Sequence, residues 1–415
     1  MKQTSNKYNT PFIVVTSLFF LWALAHNLNP ILIPHLKKAC ALTDFQSALI
    51  DSSFFIAYFV MAIPAGVFMQ RYGYKKGVIT GLLLFSAGAF LFYPAASVVS
   101  YSFFLSALFV IACGLTFLET AANPYVTALG KPETATERLN FAQSFNGLGA
   151  TLAPLIGGKF ILSGKHLNAD DITMMTPEQL RNYYVSEAAS VQIPYLIIGL
   201  LVLSVAFIFY KIHLPEIKEE EIKNVSDTEN KNIFQFSNLR AGIVAQFFYV
   251  GAQVGVGSFF IRFLSKAANL DEKTAAYYLS VALLLFMLGR FIGTALMKFI
   301  TPHKLLASYS IINIVLLLIA INFTGTISVY TLMLVEFFMS IMFPTIFSLS
   351  IKGLGSKTKL GSSLIIMSIV GGAIIPLLMG KISDATSIRW AYYVPMICFL
   401  PVAYFGTKGY KTKNT

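Results

Sequence analysis

Charged side chains are scarce in this chain of 415 residues: Asp, Glu, Lys and Arg make up 12% of it, whereas hydrophobic residues make up 56%. Soluble globular proteins carry about 25% charged residues. Together with a mean hydropathy of +0.68, this composition excludes a soluble protein. It indicates a protein that is integral to a membrane.

Cysteine is also rare, with three residues scattered along the chain at Cys40, Cys113 and Cys398. This scatter excludes a disulfide framework and a cysteine-based metal site. The sequence also lacks a His/Asp metal cluster, a nucleophile elbow and a phosphate-binding loop at a membrane face. We therefore expect neither an enzyme nor a protein that carries a metal or a cofactor.

Long apolar runs are what the chain has instead. A helix needs about 20 apolar residues to cross the hydrocarbon core of a bilayer, and twelve runs qualify, centred near residues 22, 58, 86, 112, 150, 200, 252, 285, 312, 339, 370 and 396. The first run starts near Pro11 and continues past Trp22 without a cleavage site, which indicates a retained span rather than a signal peptide. The sequence thus predicts an all-α membrane protein with twelve transmembrane helices.

The net charge of +12 would suit a nucleic-acid partner, but its distribution follows a membrane topology instead. If both termini are cytoplasmic, most Lys and Arg residues fall on the inner side, as the positive-inside rule requires. We therefore expect a multi-pass protein of the inner membrane with both termini in the cytoplasm. Its surroundings are then the lipid bilayer, and it has no nucleic-acid partner.

The longest charged stretch predicts a cytoplasmic linker at residues 213–238, between six-helix halves at residues 1–212 and 239–415. A weak internal repeat supports this division. In each half a proline-bearing helix, with Pro124 or Pro344, is followed by a short basic loop and a glycine-rich span. Parallel repeats of this kind place a substrate site near the bilayer midplane, between the halves.

The loop between the second and third spans carries glycine and basic residues at Gly66, Arg71, Gly73 and Lys75. It resembles the corresponding loop of the major facilitator superfamily, although Gln70 stands where an Asp is usual. Glycine permits close helix approach, and cations at a helix end can bind carbonyl groups. The resemblance predicts a cytoplasmic gate; the alternative is that the basic residues only set the topology.

Two acidic residues are predicted to lie deep in the membrane. Glu119 follows about twenty residues without charge, and ionisation at such a depth costs several kcal/mol or more. It is therefore a candidate proton carrier, and the alternative is a neutral side chain bonded to a neighbouring helix. Glu336 in the tenth span is either a rival coupling site or one member of an ion pair with Arg290.

Amide and aromatic side chains also gather in the predicted spans. Trp22, His26 and Asn29 share a face of the first helix, which Pro30 loosens. Amides offer the donors and acceptors that a neutral hydroxylated ligand needs, and aromatic rings offer flat apolar surfaces. The predicted binding residues are His26, Asn27, Asn29, Glu119, Asn123, Gln143, Asn146, Tyr249, Gln253 and Phe343. Packing between helices is the alternative for each of them.

Four ordered segments, at residues 118–124, 138–146, 246–253 and 343–349, are similar to those of the L-fucose:proton symporter family. This branch of the major facilitator superfamily also contains glucose/galactose and N-acetylglucosamine transporters. The resemblance covers nearly the whole chain. It implies the fold of that superfamily, in which two six-helix halves rock about a central site and carry a monosaccharide together with an ion.

The resemblance also implies roles for single residues. It assigns Glu119 to proton coupling and sugar binding, and it assigns sugar contacts to polar positions of the first and fifth helices, which are Asn27, Gln143 and Asn146. Pro30 departs from the family, whose members commonly have an Asp there. The lost acid leaves three variants open: proton symport through Glu119, with or without His26 or Glu336, sodium coupling, and uncoupled transport.

We therefore expect a monomeric importer of a neutral monosaccharide such as fucose, galactose or glucose, coupled to a proton. A drug/proton antiporter of the same fold is the weaker alternative, because the amide-rich fifth helix favours a sugar over a cationic amphiphile. The sugar itself is not identified by the sequence, since epimers differ only in the direction of a hydroxyl group.

Overall fold

The computed structural model describes residues 3–27, 32, 36, 40, 44–160, 175–212 and 232–412. For residues 3–10, 25, 26, 44–52, 154–160, 272 and 273 it describes the backbone alone. Most of the predicted linker lies outside these ranges. The boundaries of the two halves therefore stay a prediction.

All regular structure in the described ranges is helical. The helices of the first half are α1 (Gln3–His26), α2 (Asp44–Ser97), α3 (Tyr101–Ala128), α4 (Ala135–Phe160), α5 (Pro177–Ala189) and α6 (Gln192–Lys211). Those of the second half are α7 (Ser237–Ala267), α8 (Glu272–Leu296), α9 (Pro302–Asn322), α10 (Thr326–Met339), α11 (Met342–Ser350), α12 (Thr358–Met367), α13 (Gly371–Ala385), α14 (Ile388–Ala391) and α15 (Tyr393–Tyr404).

Nine stretches of the described chain are long and apolar enough to cross a membrane. One of them, Ser53–Ser97, has 45 residues and would measure about 67 Å as a straight helix, twice the hydrocarbon thickness of about 30 Å. It bends at Gly73, whose φ of 83° and ψ of 167° are not helical, so α2 contains two spans. Together with α1 and α4, these stretches account for the twelve predicted spans.

The bend in α2 is a tight reversal. Glycine adopts positive φ without the steric cost that a Cβ brings, so Gly73 allows the chain to turn back at once. A Cβ on Gly77 would lie 2.6 Å from Cγ of Met69, which shows that the two arms of α2 pack against each other directly after the turn. The second and third spans therefore form a hairpin with almost no loop.

Polar side chains define where several helices start. Ser100 precedes α3 and its side chain accepts a bond from the amide of Phe103. Thr176 and Gln179 form a capping box at the start of α5. Such caps satisfy amide groups that would otherwise lack partners at a helix N-terminus.

Small residues bring the central helices close together. A Cβ on Gly81 in α2 would lie 2.8 Å from the carbonyl oxygen of Gly114 in α3, and a Cβ on Gly114 would lie 2.6 Å from the carbonyl oxygen of Gly81. Close approach through small residues is typical of packing within membranes. Large apolar side chains such as Phe207 and Leu377 are 62% and 70% exposed on the outside of the bundle, as expected for a surface in contact with lipid.

The two groups of helices meet at the end that carries the basic loops, here called the basic end. Thr136 Oγ1 in α4 lies 2.8 Å from Ser348 Oγ in α11, and Asn140 Nδ2 donates to Thr345 Oγ1 at 3.2 Å. All four side chains belong to buried or nearly buried residues. Direct hydrogen bonds between the halves therefore close the basic end in this structure.

Candidate substrate and proton site

Glu119 receives a hydrogen bond from a residue that the sequence did not single out. The hydroxyl group of Tyr58 in α2 donates to Glu119 Oε1 in α3 at 2.6 Å. Tyr58 is buried, whereas Glu119 is partly exposed. A bond this short is typical of a hydroxyl group that donates to a carboxylate. Tyr58 thus fixes one oxygen of the acid and leaves the other free to meet a ligand or exchange a proton.

An amide pair lies one helical turn beyond Glu119. Gln143 Nε2 in α4 donates to Asn123 Oδ1 in α3 at 3.1 Å, and Asn123 shares the face of Glu119 because the two are four residues apart. Asn123 Nδ2 is buried and has no hydrogen-bond partner in the part of the chain that the structure describes. Unpartnered buried donors are rare in native proteins. This one marks a position where the hydroxyl group of a ligand, or a water molecule, would bind.

Asn146, Gln253 and Phe343 are partly exposed. Neither Asn146 nor Gln253 makes a hydrogen bond with another described residue, so both amides are available to a ligand. They stand on different halves, Asn146 on α4 and Gln253 on α7. The geometry is therefore compatible with a ligand held between the halves, and the role of each residue stays a prediction.

Tyr249 has a different environment from the one the sequence suggested. It is fully buried, and its hydroxyl group donates to the carbonyl oxygen of Met339 at 3.1 Å. In this conformation Tyr249 holds α7 against the end of α10, and its ring does not line an open surface. Its predicted contact with a sugar would require the second half to rearrange.

The first helix is described only in part at the predicted site. Asn27 Nδ2 donates to the carbonyl oxygen of Ala23 at 2.8 Å, so this amide extends the hydrogen bonding of α1. The side chain of His26 and the whole of Asn29 and Pro30 lie outside the described residues. Their predicted roles stay predictions.

Glu336 and Arg290 do not form the ion pair that the sequence left open. Both are buried, with 3% and 4% of their surfaces exposed, but no ion pair joins them in the described part of the chain. Arg290 Nε donates to the carbonyl oxygen of Ser340 at 2.9 Å, and Arg290 Nη1 donates to that of Gln143 at 2.6 Å. The guanidinium group therefore links the second half to the first through a backbone carbonyl.

The four predicted gate residues have different surroundings. Gly66 lies at the contact between the halves, because a Cβ there would come within 1.8 Å of Ser363 Oγ. Lys75 donates to the carbonyl oxygen of Tyr210 at 2.9 Å within the first half. Arg71 is exposed, and Gly73 supplies the turn in α2. A direct contact across the basic end is thus seen for Gly66 among the four.

Comparison with known proteins identifies the fold. The sequence profile of the Major Facilitator Superfamily matches residues 12–369. The chain belongs to the major facilitator superfamily. It is therefore a multi-pass membrane transporter and not an enzyme. Groups of His, Cys, Asp or Glu that could hold a metal ion are absent from the residues that the structure describes.

Two curated relatives match over nearly their whole length. The chain is 43% identical over 414 residues to the glucose/galactose transporter of Brucella abortus, which covers 99% of this chain and 97% of that protein. It is 44% identical over 411 residues to the L-fucose-proton symporter of Escherichia coli strain K12, which covers 97% and 93%. The resemblance read from the four sequence segments is confirmed.

Solved structures agree with this assignment. The transporter FucP in the outward conformation is 42% identical and superposes with a TM-score of 0.90, covering 98% of this chain and 100% of that chain. The proton:xylose symporter XylE superposes with a TM-score of 0.72 at 12% identity, which shows a shared fold alone. The predicted fold, two six-helix halves of the major facilitator superfamily, is confirmed.

Proposed function

We propose that the protein imports a neutral monosaccharide together with a proton, by alternating access of its two halves. The observation that carries this proposal is the Tyr58–Glu119 hydrogen bond, one turn from the Asn123–Gln143 amide pair. An acid and a set of amides stand side by side, so proton binding and recognition of hydroxyl groups can influence each other. The relatives named for fucose with a proton and for glucose and galactose support the same reading.

The cycle starts with Glu119 protonated from the outer side. The neutral carboxyl group can then donate to a sugar hydroxyl while Tyr58 continues to donate to Oε1. Asn123 Nδ2, which lacks a partner, and the partly exposed Asn146 add further bonds. Once the basic end opens, Glu119 releases its proton to the cytoplasm, the donor to the sugar is lost, and the sugar leaves.

The driving force is sufficient for accumulation. One charge that moves down a potential of 100 mV supplies about 2.3 kcal/mol, which corresponds to a sugar ratio of about fiftyfold. A pH gradient would add to this value. One proton per sugar is therefore enough, although Pro30 removes the Asp that the family commonly has.

The test separates binding from coupling. Glu119→Gln keeps the shape of the side chain and its bonding capacity but carries no exchangeable acid. In proteoliposomes the variant should still exchange labelled sugar in counterflow, yet it should not accumulate sugar when a proton gradient is imposed. Glu133→Gln, which makes the same change at an exposed position, is the matched control and should accumulate normally. Full accumulation by Glu119→Gln would contradict the proposal.

The same assay addresses the substrate and the ion. Glucose, galactose, fucose and N-acetylglucosamine are compared at several pH values, with and without sodium. Accumulation that follows sodium and ignores pH would replace the proton by sodium, and counterflow without any accumulation would indicate uncoupled transport. Thermal stabilisation by organic cations and not by hexoses would favour the antiporter. The protein is proposed to be a monomer whose basic end and both termini face the cytoplasm. This orientation determines which face of the reconstituted protein corresponds to the cytoplasmic side in the vesicle.

A further inference from the structure

Arg290 is a buried cation whose position depends on the closed basic end. One of its two acceptors, the carbonyl oxygen of Ser340, belongs to its own half. The other, the carbonyl oxygen of Gln143, belongs to the first half. Alternating access requires the halves to separate at this end. The bond to Gln143 must then break, and a guanidinium group with 4% exposure loses an acceptor.

Glu336 is a buried acid that lacks a partner in the same state. It makes no hydrogen bond and no ion pair with any described residue, and it is the only buried carboxyl group among the described side chains of α7 to α15. Its position is four residues before Ser340, so the two share a helical face. Arg290 therefore already holds the backbone one turn away from Glu336.

Few other charged or titratable groups face Glu336. On α7, Tyr249 lies within electrostatic range of both Arg290 and Glu336. Tyr392, between α14 and α15, lies within electrostatic range of Glu336 and also of Arg262. From α9, Tyr309 packs against the rings of Phe337 and Phe338, next to Glu336 in sequence. Arg290 on α8 is the cation whose hydrogen bond lies one turn from the acid, because its acceptor Ser340 is four residues after Glu336.

We propose that Arg290 changes its acceptor during transport: it holds the Gln143 carbonyl while the basic end is closed and the Glu336 carboxylate when that end is open. While the end is closed, Glu336 is the neutral acid, since an ionised carboxyl group without a partner is unfavourable in a dry interior. On opening, the O–H bond of Glu336 breaks, the proton passes to water on the cytoplasmic side, and the carboxylate pairs with the guanidinium group. On closing, Glu336 takes a proton back from water on the same cytoplasmic side and the guanidinium group returns to the Gln143 carbonyl, so this proton is not carried across the membrane.

This inference rests on the proposed alternating access and deepens it, because it assigns to Glu336 a proton that responds to the opening of the basic end, apart from the proton that Glu119 couples to the sugar. It also gives the sign of a pH effect. The closed state holds one proton more than the open state, so raising the pH favours opening. For one proton the ratio of open to closed protein changes by at most about tenfold per pH unit.

The experiment measures this ratio without sugar. Lys131 and Lys298, which are exposed and lie on the two sides of the basic end, are replaced by cysteines that carry spin labels. The protein used lacks its own three cysteines. Double electron–electron resonance in proteoliposomes then gives the distribution of distances between the two labels. The short and long distances report the closed and open populations at each pH across the neutral range. The background is Glu119→Gln, which removes the acid of the proposed sugar site, so that a pH response lost on adding Glu336→Gln is assigned to Glu336.

In this background the open fraction should rise with pH. Adding Glu336→Gln should abolish the rise, because glutamine imitates the neutral acid of the closed state and cannot release a proton. Adding Arg290→Gln should also abolish it, since the carboxylate then has no cation, whereas Arg290→Lys should retain the direction of the change. Glu133→Gln is the matched control and should leave the response intact.

Two results would overturn the proposal: a pH response that survives Glu336→Gln, or one that survives Arg290→Gln. Two controls distinguish a lost pH response from misfolding: Arg290→Lys, which keeps the charge, and the thermal unfolding of each variant. The readout needs no sugar. Failure of sugar counterflow, or accumulation by the single Glu119→Gln variant, would therefore count against the proposed function and leave this measurement interpretable.

Discussion

The two membrane acids of this transporter have opposite surroundings. Glu119 is partly exposed and fixed by the hydroxyl group of Tyr58, whereas Glu336 is buried and has no hydrogen-bond or ion-pair partner among the described residues. From the sequence alone the two look alike, since each is a lone carboxyl group in an apolar helix. The difference shows that depth in the membrane does not define a role. Access to the ligand suits Glu119 for coupling to the sugar, and isolation next to Arg290 suits Glu336 for a response to conformation.

The largest expected effect comes from neutralising each acid in turn. Glu119→Gln should reduce the steady-state sugar ratio from about fiftyfold at 100 mV to one. Glu336→Gln should retain accumulation but slow counterflow severalfold, because the open state loses the partner of Arg290. Both quantities are measured in the same proteoliposomes at matched protein content. Equal loss of accumulation in the two variants would remove the distinction between the acids.

A smaller effect is expected from the tyrosine beside each acid. Tyr58→Phe removes the donor to Glu119, and a hydrogen bond to a charged group contributes about 1.5–3 kcal/mol. The pH dependence of uptake should therefore shift towards higher pH by about one pH unit or more, because a carboxyl group that loses a hydrogen-bond donor holds its proton more tightly.

Tyr249→Phe is the counterpart in the second half. Its hydroxyl group bonds a backbone carbonyl, so the change should lower stability by about 1 kcal/mol and leave the pH profile of uptake in place. Uptake profiles and thermal unfolding of both variants, recorded side by side, check the comparison. A shift of the profile in Tyr249→Phe alone would assign the coupling acid to the second half.

The smallest effect concerns two buried amides. Asn123→Leu removes the unpartnered donor beside Glu119 and should raise KM for the sugar by about fivefold, the value of one neutral hydrogen bond. Asn313 in α9 is also buried, and both atoms of its amide lack partners. Asn313→Leu should leave KM unchanged and leave thermal stability equal or higher. If both substitutions raised KM equally, the amide near Glu119 would have no special part in binding.

Much of the fold and part of the site follow from the sequence. Apolar runs of sufficient length predict the spans because the bilayer fixes their length. Glu119 and the amides Asn123 and Gln143 are conspicuous because polar groups are costly in such runs. The structure brings these three residues together on adjacent helices, as their spacing along α3 and α4 allows.

Other parts of the site could not be predicted. Tyr58 is one of 20 tyrosines, and nothing in its local sequence distinguishes it from a tyrosine that packs against lipid. The sequence offers an ion pair with Glu336 as one of two alternatives for Arg290, yet the acceptors of Arg290 are backbone carbonyls. Every residue has a backbone carbonyl group, so the type of a residue does not indicate that its carbonyl will accept a bond from Arg290. Contacts of this kind depend on how the two halves meet.

The turn at Gly73 has a mechanical consequence. Because α2 reverses direction with almost no loop, no flexible segment separates the second span from the third. When one of the two spans tilts, the other is expected to tilt with it. Tyr58 stands on the first arm of this hairpin and Gly81, against α3, on the second. In a rocking motion the hairpin would therefore move as one unit, so that Tyr58, the donor to Glu119, and Gly81, the contact with α3, change position together.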